Sequence, residues 1–197
     1  MYLPFAPTLA LRLLPRASAR LRDLVLILAG ALFTAALAQI KIPLSFTPVP
    51  LTGQTFAVLL TGAALGSQRG AASLILYLLL GGLGLPFFAG GQGGLAYLLG
   101  PTFGYLLGFA LAAWLVGRLT EHGLERSLQT SLLPFLAGTA VIYFCGAGWL
   151  ALSLGVQKAL LFGVLPFIIG DMIKIALAGI ALPTAWKFVT HQDSLLP

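Results

Sequence analysis

The chain has 197 residues, of which 59% are hydrophobic and only 8% charged, with a formal net charge of +6. A soluble domain carries about 25% charged residues, so a surface this poor in charge excludes water as the main solvent and leaves lipid. The basic balance does not indicate a nucleic-acid partner, because the lysines and arginines are spread along the chain and not gathered on one face.

A helix crosses the hydrocarbon in about 20 apolar residues, and six apolar runs can be read in order. A basic arm, residues 1–21, comes before them. Its Arg12, Arg16 and Arg20 recur at helical spacing, which predicts that the arm lies on an anionic inner leaflet. The first run is Leu24–Ile40. The arginines before it and Ala36-Leu37-Ala38 near its end resemble a secretory signal with a cleavage site. The apolar core is long for a signal, however, and its removal would leave an odd number of spans, so an uncleaved helix is expected. Ala31, Ala35 and, nearly in line, Ala38 form a smooth face that either packs inside the protein or docks a membrane partner.

Between the first two runs lies KIPLSFTPVPLTGQTF, residues 41–56, with one lysine, three prolines, three threonines and a glutamine. A plain turn needs none of these. The second run, Leu51–Leu65, is polar at its start, and the third is Ala71–Leu85. Gly62, Gly66 and Gly70 are spaced by four, as are Gly100, Gly104 and Gly108 with Ala112, which predicts close helix packing. The loop Leu85–Tyr105 carries Gly90, Gly91, Gly93 and Gly94 around Gln92 and no charge. It is no phosphate cradle, since no Lys-Ser or Lys-Thr follows. Non-helical backbone at membrane depth must be buried in protein or line a cavity.

The fourth run is Thr102–Val116, the fifth Leu132–Leu154 and the sixth Ala159–Val189. Cys145, the single cysteine, excludes an internal disulfide and is expected to pack. Barrel strands alternate in polarity; LVLILAGALF does not. The predicted fold is therefore all-α: an integral membrane domain of six transmembrane helices over residues 22–190, with structured outer loops and a tail at 191–197. With the N-terminus inside, Arg12, Arg16, Arg20, Arg22, Arg69, Arg118, Arg126 and Lys187 lie inside and Lys41 and Lys158 outside, leaving Lys174 of the eleven basic residues in a span. That bias predicts both termini in the cytoplasm.

Asp171 is the only acid within a run, and Lys174 lies three residues on, on the same helical face. Intramembrane ionisable residues are expensive and mark function by default. Pro166 and Gly170 precede the pair and predict a loosened helix there. Enzymatic chemistry is not indicated. His122 and His191 share no span, so neither a zinc site nor a Ser-His-Asp arrangement can be assembled, and no cofactor or metal is expected. A channel would want rings of charge or carbonyls. What remains is a pocket in a helical bundle under two uncharged loops.

KIPLSFTPVPLTGQTFAVLLTGAALG, YLLLGGLGLPFFAGG, GGLAYLLGPT and the late GDMIK, in this order over about residues 24 to 188, resemble the BioY family. Its members are biotin-binding S components of energy-coupling-factor (ECF) vitamin transporters. Phe103 departs from the family pattern, which has glycine there. The resemblance implies a six-helix substrate-binding subunit in the cell membrane, closed by the two outer loops, with a transmembrane coupling protein and two cytoplasmic ATPases as partners. It assigns Asp171 to the pocket, where a carboxylate can accept from the ureido N–H groups as a charge-assisted bond, and Lys174 is expected either to keep Asp171 ionised or to bond the ligand itself. Gln54, Gln92 and Thr52 are expected to serve as neutral donors and acceptors. Phe46, Phe87, Tyr77 and Tyr97 are the expected apolar walls. Lys41 is the candidate for the ligand carboxylate. The resemblance also points Ala31 and Ala35 toward the coupling protein. A self-sufficient secondary transporter is the competing reading, and a structural protein without ligand a third.

Overall fold

The computed structural model of the chain describes residues 4–124 and 130–193. Arg126, most of the tail and the side chains of Arg12 and His191 lie outside the described residues. The basic arm contains helix α1 (Phe5–Leu13), and a break at residues 14–18 separates it from α2 (Ala19–Ala38). The Ser18 hydroxyl accepts from the Leu21 N–H and starts α2 there. The arginines at positions 12, 16 and 20 therefore do not share one helix, although their spacing suits one. α1 folds back on the bundle instead, with Phe5 edge-on to Trp186 at 5.6 Å.

Strands β1 (Lys41–Ile42) and β2 (Leu51–Thr52) pair antiparallel, Lys41 opposite Thr52 and Ile42 opposite Leu51. Then come α3 (Gln54–Leu65), α4 (Ser67–Gly82), the single turn α5 (Leu95–Leu98), α6 (Phe103–Thr120) and α7 (Leu132–Leu154). The expected sixth run is interrupted. It divides into α8 (Val156–Gly163), a 3-10 turn at Leu165–Phe167 and α9 (Ile168–Asp193). Pro166 sits in that turn, where its missing N–H costs nothing at a helix start. Among the described residues, four stretches are long and apolar enough to cross a membrane: Ala19–Ala38, Phe103–Thr120, Leu132–Leu154 and Val156–Lys187. α3 and α4 are shorter. The chain is a mostly helical, multi-pass membrane protein.

Small residues set the helix spacing. A β-carbon at Gly62 would lie 2.6 Å from the Ala113 carbonyl oxygen, and one at Gly104 would lie 2.3 Å from that of Cys145. These contacts bring α3 and α7 backbone-close to α6. Gly66, at φ +85, is the hinge between α3 and α4, and Gly100 precedes α6, so neither lies within a helix row. Phe103, where the family pattern has glycine, stands edge-on to Trp149 at 4.8 Å. The alanine row is internal. Ala31 and Ala35 are 0% and 7% exposed, inside the main apolar core with Leu74 and Tyr77. Gly30, next to them, abuts Ser73 of α4. The two alanines let α2 approach its neighbours, which corrects their assignment to a partner-docking surface.

Candidate functional site

The break before α9 places Asp171 in the first turn of that helix, where the unpaired N–H groups favour a carboxylate. Asp171 is only 4% exposed, yet every lone pair in use has a defined donor. Its Oδ1 accepts from Lys174 Nζ at 2.8 Å and from the Thr55 hydroxyl at 3.0 Å; its Oδ2 accepts from the Tyr143 hydroxyl at 2.5 Å. Lys174 Nζ also donates to Thr55 Oγ1 at 2.8 Å. α3, α7 and α9 are thus joined at one polar cluster inside an otherwise apolar bundle. A buried charge is tolerable only when paired and hydrogen-bonded in this way.

This cluster forms the floor of a cavity between the β2 segment and α3, α6, α7 and α9. The cavity is narrow, about 50 Å³, and it is partly open to solvent. Phe109, Ile142, Phe167, Leu106 and Tyr105 supply apolar walls, while Thr52, Gln54, Tyr97 and Thr102 add polar atoms nearer the loops. A second cavity lies farther out and shares Pro50, Tyr97 and Thr102 with the first. Lys41, Pro43, Thr47 and Pro48 line it. Burial pushes the Tyr97 phenol above its ordinary value, opposed by its hydrogen bond with Thr102.

The loops that cover these cavities are tied to the bundle. Thr47 Oγ1 donates to the Phe162 carbonyl at 2.8 Å, and Gly53 N donates to that of Ile40 at 3.0 Å. In the other loop, Gly90 N donates to the Ala38 carbonyl at 3.1 Å, and Gln39 Nε2 to that of Pro86 at 3.3 Å. Gly90 and Gly91 take φ of +70 and +76 in a tight turn closed by Phe88 and Gln92. Only glycine enters that region without strain.

Of the residues expected in the site, Asp171, Lys174, Thr52, Gln54 and Tyr97 line the inner cavity and Lys41 the outer one. Tyr77 stands behind Gln54, fully buried, and the two side chains are hydrogen-bonded. Thr52 Oγ1 also donates to Gln54 Oε1 at 3.0 Å, so the amide is oriented from both sides. Phe46, Phe87 and Gln92 do not line either cavity. Phe46 is 56% exposed on the loop surface, and Gln92 is exposed at a turn where its carbonyl closes the bridge to Phe88. Phe87 stacks on Tyr77 at 6.3 Å. The buried aromatic of that loop is Phe88, stacked at 5.3 Å on Tyr97 and edge-on to Tyr77. A run of two phenylalanines in a glycine-rich loop has no periodicity to say which one turns inward.

Thr55, Tyr143, Thr102 and Tyr105 also line the cavity, and no motif or spacing in the sequence assigns them to it. Tyr143 carried a faint signal, a hydroxyl-bearing ring inside the apolar stretch AVIYFCGAG. No local spacing links it to Asp171.

A helical membrane bundle whose buried carboxylate–ammonium pair faces a loop-covered cavity is a membrane protein built to hold a small polar solute. The model of the BioY family matches residues 12–191, and the chain belongs to that family. It is 46% identical over 145 residues to the probable biotin transporter BioY of Pyrococcus horikoshii, covering 74% of this chain and 84% of that one. It is 40% identical over 169 residues to the biotin transporter BioY of Rhizobium etli, covering 81% and 90%. Its fold matches a solved structure described as the S-component for biotin from an ECF-type ABC transporter. The TM-score is 0.77 at 29% identity, covering 85% of this chain and 92% of the other.

Proposed function

We propose that this chain binds biotin from outside the cell and serves as the substrate-binding S component of an ECF-type transporter. The observation that carries the reading is the Asp171 cluster. It is a buried charged group with three hydrogen-bond donors and one acceptor site left at the floor of a cavity, in a member of a family whose relatives are named as biotin transporters. An N–H of the ureido ring would reach the open side of Asp171 Oδ2 as a charge-assisted bond. The thiophane ring would lie against Phe109, Ile142 and Phe167. The valerate chain would pass Pro50 and Tyr97 into the outer cavity, where Lys41 offers its ammonium to the carboxylate.

Six crossings complete this reading, with α3 and α4 as short spans and both termini inside. The positive-inside bias of the basic residues supports that orientation. A transmembrane coupling protein and two cytoplasmic ATPases would power inward release; Ala31 and Ala35 are not part of the docking surface. The prolines at 43, 48 and 50 hold the covering loop near its closed shape and reduce the entropy lost on binding.

Equilibrium binding of biotin to the purified chain in detergent tests the reading, with desthiobiotin, thiamine and riboflavin alongside. Tight binding restricted to the two ureido compounds is expected. A well-folded chain that ignores biotin would defeat it. Uptake assays with and without the coupling protein and ATPases decide between a dependent subunit and a self-sufficient transporter.

A further inference from the structure

The lone pairs of Asp171 are nearly all spent. An ionised carboxylate offers about four acceptor sites, two on each oxygen. Thr55 and Lys174 occupy both on Oδ1, and Tyr143 takes one on Oδ2. One site therefore remains open, on Oδ2, beside the Tyr143 hydroxyl. The two oxygens are 2.5 Å apart, close to the separation of the two oxygens of a single carboxyl group. One is an acceptor, the other carries a movable proton, and both residues line the cavity. Together they present the edge of a carboxylic acid.

That edge is complementary to an N–H and a C=O lying side by side, as in a lactam or a cyclic urea. We infer that Tyr143 is a specificity-determining residue whose hydroxyl reads the carbonyl oxygen next to the N–H accepted by Asp171. The inference rests on the biotin reading above. The phenol proton points to Asp171, so that neither group is left unpaired in a buried site. On binding, the ligand N–H takes the open site on Oδ2, the phenol proton turns to the ligand carbonyl, and the two oxygens, no longer bridged by that proton, move apart: one hydrogen bond is broken and two are formed. No bond other than hydrogen bonds changes, and the count of donors and acceptors balances. The two N–H groups of a cyclic urea point away from each other across the ring, so Asp171 accepts only one of them. Tyr143, and not the second N–H, then completes recognition at this edge.

The test compares biotin with 2-thiobiotin, in which the carbonyl oxygen is replaced by sulfur, a weak acceptor. Both compounds keep the two N–H groups. Wild-type protein is expected to prefer biotin, and Tyr143→Phe should weaken biotin about tenfold while barely affecting 2-thiobiotin, so the preference narrows by about that factor. Equal losses for both compounds would show that Tyr143 only positions Asp171 and would overturn the inference, as would unchanged biotin binding in the variant. If the phenylalanine variant does not fold, 3-fluorotyrosine at position 143, a stronger donor of nearly the same size, must widen the preference. An unchanged ratio there overturns the inference too. Wild-type protein that binds neither compound would instead defeat the ligand assignment itself, so the two failures are distinguishable.

Discussion

Lys174 on α9 donates to the Thr55 hydroxyl on α3 across 2.8 Å, joining residues 119 positions apart in the chain. The same ammonium donates to Asp171 Oδ1 at 2.8 Å, and Thr55 in turn donates to that oxygen at 3.0 Å. The pair three residues apart on α9 is thus one side of a triangle whose third corner belongs to another helix. This arrangement holds the carboxylate at a fixed angle to the cavity before any ligand arrives, and pre-organisation of this kind reduces the cost of binding.

Asp171→Asn removes the charge and one acceptor at the cavity floor. Biotin binding is expected to weaken more than tenfold, ~1.4 kcal/mol. Calorimetry on the purified variant checks this. Unchanged affinity would remove Asp171 from the site.

Lys174→Met leaves Asp171 buried without its counter-charge; the two side chains are 17% and 6% exposed. Breaking one partner of such a pair costs about 3–5 kcal/mol, so the variant should melt well below wild type. The double variant Asp171→Asn/Lys174→Met should recover most of that melting temperature without recovering binding. A double variant as unstable as the single one would contradict this account of the pair.

Ala31→Leu places a large side chain at a position with no exposure. Overpacking of this kind costs about 1–3 kcal/mol. The expected result is a lower melting temperature for the isolated chain, before any partner is added. A variant as stable as wild type that fails only in partner assembly would return Ala31 to an interface.

Gly62→Val drives a side chain into the Ala113 carbonyl, which a β-carbon would already approach to 2.6 Å. α3 and α6 would be forced apart at a cost of about 3 kcal/mol, the upper end of overpacking. Gly148→Ala on α7 is the control, because nothing lies within 4 Å of a β-carbon there. It should be neutral, or stabilising by up to about 1 kcal/mol through helix propensity. Thermal unfolding monitored by circular dichroism separates the two.

Lys41→Gln probes the outer cavity. If the ammonium meets the ligand carboxylate, biotin should lose about tenfold in affinity, ~1.4 kcal/mol, and biotin methyl ester much less. Equal effects on the acid and the ester would leave Lys41 as a residue that merely extends to the membrane interface.

Much of this protein was determined by the sequence alone. Apolar runs without alternation can satisfy their backbone in lipid only as helices, and a solitary acid with a lysine one turn away identifies itself because such residues are costly there. Hence α7 occupies its expected Leu132–Leu154, and Asp171 and Lys174 stand in the cavity. The tertiary structure alone decided the remainder. In helices apolar on nearly every side, no periodicity distinguishes an inward face from a lipid-facing one. The alanines of α2 could therefore be read as a docking row until packing showed them buried against the core. Thr55 and Tyr143 reach Asp171 from 116 and 28 positions away, and only the crossing of α3, α7 and α9 brings them together. Hydrogen bonds between distant helices follow from where backbones cross, and that is set by small residues such as Gly62 and Gly104, whose partners a linear spacing does not name.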